Sequence, residues 1–122
     1  MTSGHLIFVY GTLKRGGSNH GFLIGQTFLG DARTMPGYQL YRLNGYPGMI
    51  ASPADAGHVT GEVWSIDAAT LNQLDELEGV AEGLYRREPV PLQTPFADRA
   101  VDAYLYARPL GRAEKLGNTW KE

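Results

Sequence analysis

Residues 6–20 read LIFVYGTLKRGGSNH, and this stretch decides how the fold begins. The apolar run 6–10 lies between Gly4 and Gly11, which is typical of a short strand buried on both faces. Residues 11–20 are rich in Gly, Ser and Asn and predict a loop that leaves this strand directly. Successive backbone N–H groups at such a turn can converge on an anion such as a carboxylate. A plain strand-to-loop turn would have the same sequence.

A hairpin is predicted in the next part of the chain. Asn44–Gly45 is the strongest short hairpin signal and separates two extended segments, 37–43 and 46–51. Residues 45–48 read Gly-Tyr-Pro-Gly, in which the proline and the second glycine also fit a type II turn. We therefore expect two antiparallel strands here, with a turn between them.

Further strands follow from the patterning of segments 59–66, 85–92 and 100–107. Two prolines in the second of these segments favour a position at the edge of a sheet, because proline cannot donate to a neighbouring strand. Segment 21–30 is compatible with a short helix or with a strand.

One helix is predicted, from the N-cap Asp67 to a stop at Gly79. About seven short strands and one clear helix indicate a small mixed α+β fold built on a curved sheet or partial β-barrel. A length of 122 residues is that of a single domain over 1–122. After residue 108 the pattern is lost, so we expect a flexible tail over 108–122, which Trp120 could anchor.

Composition narrows the possible partners. The net charge of −2 provides no basic surface, so nucleic acid and anionic membranes are not expected partners. The chain has no cysteine, which excludes a disulfide scaffold, a thiolate nucleophile and a Cys zinc site. The three histidines are scattered, so no metal site is expected. The apolar run 6–10 is too short for a signal peptide or a membrane span, which predicts a cytoplasmic protein.

The sequence lacks the motifs of several common enzyme and nucleotide-binding classes. Residues 11–18 read GTLKRGGS, in which Gly17 stands where a nucleotide-binding loop needs its lysine. No serine has the surroundings of a hydrolase nucleophile. Glycosidases usually need two facing carboxylates, and only one acid is predicted to face inward.

That acid is Glu78. On a helical wheel with Leu71 at 0°, Leu74 lies at about 300° and Leu77 at about 240°, so these leucines form the apolar face. Glu78 lies at about 340°, between Leu71 and Leu74. Burial and the negative helix end both disfavour a carboxylate there, so we expect a raised pKa suited to general acid–base chemistry. The alternative is a structural Glu that fixes a loop or pairs with Arg86 or Arg87.

Three segments together resemble a known family: FVYGTLKRG at 8–16, GEVW at 61–64, and LDELEG at 74–79 followed by Tyr-Arg-Arg at 85–87. Over residues 6–107 the chain resembles the gamma-glutamylcyclotransferase-like superfamily, especially its short members akin to gamma-glutamylamine cyclotransferase. The resemblance implies a small mixed barrel with short helices around a cavity. It also implies that the loop Tyr10-Gly11-Thr12-Leu13 cradles the glutamyl end of a substrate and that Glu78 is the catalytic acid/base.

The reaction implied by the resemblance is intramolecular aminolysis, which releases 5-oxoproline and a free amine from a small γ-glutamyl molecule. Backbone N–H groups of Gly11, Thr12 and Leu13 would hold the substrate α-carboxylate. Tyr10 would line the cavity, and Tyr46 and Tyr85 would lie at its rim or on the leaving-group side. No metal or cofactor is required.

Alternative functions remain open at this point. A small-molecule binding module on the same scaffold would bind an amine or a γ-glutamyl compound without turnover. A related acyl chemistry would remove a γ-glutamyl group from a larger carrier, and a purely structural Glu78 would leave the likeness one of fold alone. The sequence does not identify the leaving amine. It leaves the oligomeric state open and slightly favours a monomer, since no long exposed apolar stripe is evident.

Overall fold

A computed structural model describes residues 4–121. In this part of the chain, eight short strands form one curled mixed sheet, a half-barrel, which carries a single α-helix. The predicted α+β class is therefore confirmed. The strands are β1 (His5–Val9), β2 (Thr27–Arg33), β3 (Tyr38–Arg42), β4 (Pro47–Ala51), β5 (Thr60–Ile66), β6 (Tyr85–Pro89), β7 (Asp102–Tyr106) and β8 (Glu114–Lys115), and the helix is α1 (Ala68–Leu77).

Strand β1 lies in the interior of the sheet. The strand order is β2-β5-β1-β7-β4-β3-β8, and β6 pairs with β7. β1 pairs antiparallel with β5, where Val9 faces Glu62, and parallel with β7, where Phe8 faces Ala103. The residue after β1 therefore leaves the sheet between two neighbours that fix its position.

The two faces of β1 belong to different hydrophobic clusters, as the alternation of a strand requires. Phe8 is fully buried in the cluster that also holds Leu40 and Met49. Ile7 and Val9 lie in the other cluster, beneath α1. The sequence pattern of 6–10 thus correctly predicts a strand buried on both sides.

The helix begins and ends where the sequence predicts. The Asp67 side chain accepts a hydrogen bond from the backbone N–H of Thr70, and Gly79 has the positive φ of 64° that glycine tolerates after a helix. Leu71 and Leu74 are buried on the sheet. Leu77 is not part of this buried face: it is 36% exposed, because the last helical turn borders an opening in the molecule.

The hairpin is confirmed, but its turn is not the type II turn expected at 45–48. The connection comprises residues 43–46, closed by a hydrogen bond from the Leu43 N–H to the Tyr46 carbonyl. Gly45 has φ of 84°. Pro47 and Gly48 are buried in β4, because they pair with β3 rather than forming the turn.

Segment 21–30, for which a short helix or a strand was expected, contains both. A 3₁₀ turn at His20–Leu23 is followed by β2. The edge position expected for 85–92 is observed for β6, which pairs with β7 alone among the described strands, whereas Leu92 forms a bridge with Thr34.

The end of the chain differs from the expected flexible tail. Strand β8 pairs with β3, and Leu116 and Trp120 pack against the sheet, with Trp120 only 4% exposed. The backbone N–H of Thr60 also donates to the Asn118 carbonyl at 2.8 Å. Trp120 therefore anchors this segment, as the sequence suggested, whereas the pairing of β8 with β3 joins segments distant in sequence, so local patterning gives no sign of it. None of the helices found between residues 4 and 121 is long and apolar enough to cross a membrane.

Candidate active site

A cavity of about 290 Å³ opens where β1 ends, between α1 and the β3–β4 hairpin. The side chains that surround it come from both hydrophobic clusters, so its walls are built by the core itself. Its lining residues are Phe8, Val9, Tyr10, Gly11, Thr12, Leu13, Asn19, Tyr46, Pro47, Leu77, Glu78, Leu84, Tyr85 and Tyr104. The volume is at the lower end for small-molecule sites, which suits a compact ligand.

Glu78 is the ionisable carboxyl in this lining. It caps the C-terminus of α1 and is half-buried. Burial raises its pKa from 4.5 to about 7, because the apolar surroundings disfavour the anion. A carboxyl that titrates near neutrality can accept and return a proton under physiological conditions.

The two arginines considered as partners of Glu78 have other partners. Arg86 pairs with Glu88 at 2.8 Å. Arg87 pairs with Asp75 and Asp102, each at 2.9 Å. Among the described residues, no ion pair reaches Glu78. The effect of burial on the pKa of Glu78 is therefore not offset by a neighbouring cation, which would lower that pKa.

The loop after β1 presents its backbone to the same cavity. Within residues 4–121 the N–H groups of Gly11, Thr12 and Leu13 donate to no acceptor. The loop around them is fixed: Lys14 N–H donates to the Gly11 carbonyl, and Asn19 donates from its backbone to the Thr12 carbonyl and from its side chain to Thr12 Oγ1. Three free donors beside one another on a held loop can bind an anion.

Gly11 is required at its position by close packing. A Cβ there would lie 2.7 Å from Cγ of Pro47 in β4. The absence of a side chain lets the hairpin approach the loop, and this approach closes one wall of the cavity.

The hydroxyl groups of two predicted tyrosines are already used within the protein. Tyr10 OH donates to the Tyr104 carbonyl at 2.7 Å and accepts from Met49 N–H, and Tyr85 OH donates to the Pro47 carbonyl at 2.7 Å. Both side chains therefore form the wall of the cavity. Tyr46 also lines the cavity, from the hairpin connection.

Glu78 lies close to this tyrosine wall. Burial raises the pKa of Tyr10, Tyr85 and Tyr104 far above the usual range, and the charge of Glu78 raises each of them further. These phenols stay neutral under all ordinary conditions. Of the wall groups, Glu78 is thus the one able to exchange a proton near neutral pH.

Sequence reasoning missed a second buried acid. Glu62 in β5 is 6% exposed and faces inward, so the expectation of a single inward acid is wrong. It lies outside the cavity lining and is bound to Arg15. Glu62 occupies an alternating position of a predicted strand, and this alternation was the signal that could have identified it.

Asp75 was also missed, and Asn19, which the sequence offered as a residue that orients the loop or lies in solvent, was not among the predicted site residues. Asn19 lines the cavity and holds Thr12. Asp75 accepts a hydrogen bond from Tyr104 OH at 2.7 Å and so fixes the last turns of α1 to β7. Residues 4–121 contain no cluster of three or more His, Asp or Glu that could hold a metal ion.

Comparison with known proteins identifies the family of this chain. A family model described as gamma-glutamyl cyclotransferase, AIG2-like, matches residues 7–122. The chain belongs to the gamma-glutamyl cyclotransferase, AIG2-like family. The resemblance seen in its three motifs is thereby confirmed. Membership of this family supports the interpretation that the protein is an enzyme.

Relatives of this AIG2-like chain share most of its length. A putative gamma-glutamylcyclotransferase of Vibrio cholerae is 45% identical over 104 residues, which cover 84% of this chain and 82% of the relative. The solution structure of ytfP from Escherichia coli is 37% identical and covers 96% of both chains with a TM-score of 0.70. An AIG2-like protein from Mus musculus is 23% identical, covers 98% of this chain and 89% of its own, and shares the fold with a TM-score of 0.79.

Proposed function

We propose that this protein is a cyclotransferase that converts a γ-glutamyl amine or γ-glutamyl amino acid into 5-oxoproline and a free amine. The observation that carries the proposal is the shared cavity: a half-buried carboxyl with a pKa of about 7 lines the same hollow as Gly11, Thr12 and Leu13, whose backbone N–H groups have no acceptor within residues 4–121. The family match supports the same chemistry.

The reaction closes a ring within one molecule. Glu78 takes a proton from the substrate α-ammonium, which makes the α-amine a nucleophile. The amine nitrogen attacks the γ-carbonyl carbon and forms the new C–N bond of the ring. The bond from that carbon to the leaving nitrogen then breaks, and the leaving nitrogen receives the proton from Glu78. After the attack the ring nitrogen still carries two protons; Glu78 takes the second one as well, and the released amine carries it away as an ammonium ion. Atoms and charge then balance, and no water, metal or cofactor takes part.

Both reacting groups belong to one substrate, so the protein mainly selects a bent conformer. The N–H groups of Gly11, Thr12 and Leu13 would hold the α-carboxylate at one end of the cavity. Tyr10 and Tyr85 would form the wall against which the glutamyl chain folds. Tyr46 would lie on the side of the leaving amine. We place this chemistry in the cytoplasm, as the sequence predicts.

The test is a panel of γ-glutamyl alkylamines and γ-glutamyl amino acids, assayed for 5-oxoproline with wild-type protein and with Glu78→Gln. The amide keeps the shape of the side chain and cannot accept a proton at neutral pH. We expect kcat to fall by about 10²- to 10⁴-fold.

A matched control is Glu76→Gln, which removes an exposed carboxyl two residues away on the same helix. This variant should cyclise at the wild-type rate. Release of 5-oxoproline by Glu78→Gln at the wild-type rate would contradict the role of Glu78. Ligand binding by the wild type without any 5-oxoproline would identify a binding module instead.

A further inference from the structure

Both ends of the loop that carries the three free N–H groups are attached to one residue, Glu62. At the start of the loop, Val9 in β1 pairs with Glu62 in β5. At its end, the backbone N–H of Arg15 donates to Glu62 Oε1 at 3.1 Å. Both ends of the loop are therefore held at the same position of β5.

The Glu62 carboxylate is held in one orientation. It is 6% exposed and accepts three hydrogen bonds: from the backbone and Nε of Arg15, the latter at 3.0 Å, and from Nε1 of Trp64 at 3.1 Å. Burial alone would raise the pKa of Glu62, but these hydrogen bonds outweigh it and hold that pKa below its ordinary value. The group is thus a fixed anion at neutral pH.

The outer side of Arg15 is held less firmly. Its guanidinium lies 3.9 Å from the centre of the Phe28 ring and 3.0 Å from Asp31, whose side chain is 76% exposed. An exposed pair of this kind contributes little. Glu62 is therefore the partner that fixes Arg15.

We propose that Glu62 is a positioning residue for the substrate-binding loop. It touches no part of the cavity, and neither does Arg15. By fixing the backbone at Val9 and again at Arg15, Glu62 sets the direction of the Gly11, Thr12 and Leu13 N–H groups. The inference rests on the proposed function, in which these groups bind the α-carboxylate of a γ-glutamyl substrate.

The role has a characteristic kinetic signature. The α-carboxylate keeps its charge throughout ring closure, so the loop binds the ground state and the transition state equally. Misdirected N–H groups should raise KM and leave kcat nearly unchanged. Loss of Glu78 has the opposite effect, since Glu78 acts on the proton transfers themselves.

The experiment compares Glu62→Gln, Arg15→Ala and the matched control Asp31→Asn in the wild-type background. We expect KM to rise about tenfold or more in the first two variants, with kcat within about threefold of wild type. Asp31→Asn should keep both constants. Thermal unfolding of each variant shows whether it is folded at the assay temperature, and Arg15→Ala decides alone if Glu62→Gln does not fold.

A second measurement needs no turnover. Backbone amide NMR signals of residues 11–13 report the loop in the free protein, and a 5-oxoproline titration reports their contact with a carboxylate. We expect these signals to move, and 5-oxoproline to bind more weakly, in Glu62→Gln and Arg15→Ala but not in Asp31→Asn.

The two proposals can fail separately. A wild type that makes no 5-oxoproline, while the amide signals still depend on Glu62, would refute the cyclotransferase function alone. An active wild type with KM unchanged in a folded Glu62→Gln or Arg15→Ala variant would overturn the positioning role alone. A loss of kcat at constant KM would overturn it too.

Discussion

At the scale of the residue, the raised pKa of Glu78 affects both the proposed reaction and the stability of the folded protein. The carboxyl stands at the end of α1, with its charge disfavoured by apolar neighbours. In the folded protein it keeps a proton that an unfolded chain would release at lower pH. The same shift therefore predicts how both activity and stability depend on pH.

Activity should rise with pH up to about 7. Glu78 accepts a proton in the proposed first step, so only its deprotonated form starts the reaction. A plot of log kcat/KM against pH should show an acidic limb with an apparent pKa near 7 and then a plateau. A limb near 4.5, the ordinary value for Glu, would contradict the effect of burial.

Stability should respond in the opposite direction. The pKa of Glu78 is raised on folding, so its protonation stabilises the protein fully below about pH 4.5, and this contribution is lost as pH rises through about 7. Glu78→Gln never ionises. We expect it to be more stable than wild type by roughly 2 kcal/mol at pH 8, after allowance for partial solvent contact, and equally stable at pH 4.

Urea unfolding at the two pH values measures this difference. Glu76→Gln, at an exposed position of the same helix, should show no comparable change between pH 4 and pH 8. A constant difference between Glu78→Gln and wild type over this range would rule out the raised pKa.

At the scale of the element, the site depends on the approach of the β3–β4 hairpin to the loop after β1. Gly11 and Pro47 are in contact, and the Pro47 carbonyl accepts the hydrogen bond from Tyr85. A change in this contact should therefore reach both the loop and the tyrosine wall.

Gly11→Ala should destabilise the protein by about 1–3 kcal/mol and weaken substrate binding. The added Cβ would lie 2.7 Å from Pro47 Cγ, so either the loop or the hairpin must move. Chemical denaturation and KM measure the two effects. Gly21→Ala is the matched control, since a Cβ at Gly21 meets nothing within 4 Å. Equal stability of the two variants would contradict the steric role of Gly11.

Elements with strong local signals could be predicted from the sequence. α1 has an N-cap, a regular apolar face and a glycine stop, and Asn44–Gly45 marks the hairpin, so both were located correctly. The inward position of Glu78 was predicted correctly because its place on the helical wheel follows from the same periodicity. Glu62 and Asp75 were missed because their roles depend on Arg15 and Arg87, which only the tertiary fold brings near.

At the scale of the whole molecule, residues near the end of the chain contact both the core and the loop after β1. Lys14, in the loop after β1, donates to the Trp120 carbonyl at 2.8 Å, and the Trp120 ring fills the cluster around Met49. The segment after residue 108 thus connects the core with the loop after β1. The sequence singled out Trp120 as a possible anchor but could not identify its partners, because these contacts join segments distant in sequence.

Trp120→Ala should cost about 3–4 kcal/mol of unfolding free energy, since it empties a large buried position. Trp120→Phe should cost much less, because the indole N–H has no partner in the described part of the protein and its loss breaks no hydrogen bond. Urea denaturation compares the two. A cost below about 1 kcal/mol for the alanine variant would show that the ring is dispensable.

The place of β1 within the sheet also constrains how the chain folds as it is synthesised. This strand is made before both of its neighbours, and residue 8 lies beside residue 103. A nascent chain emerging from the ribosome cannot complete the middle of its sheet until β7 has been translated. Such distant pairings slow folding, so Phe8 lacks one of its two neighbouring strands until β7 has emerged.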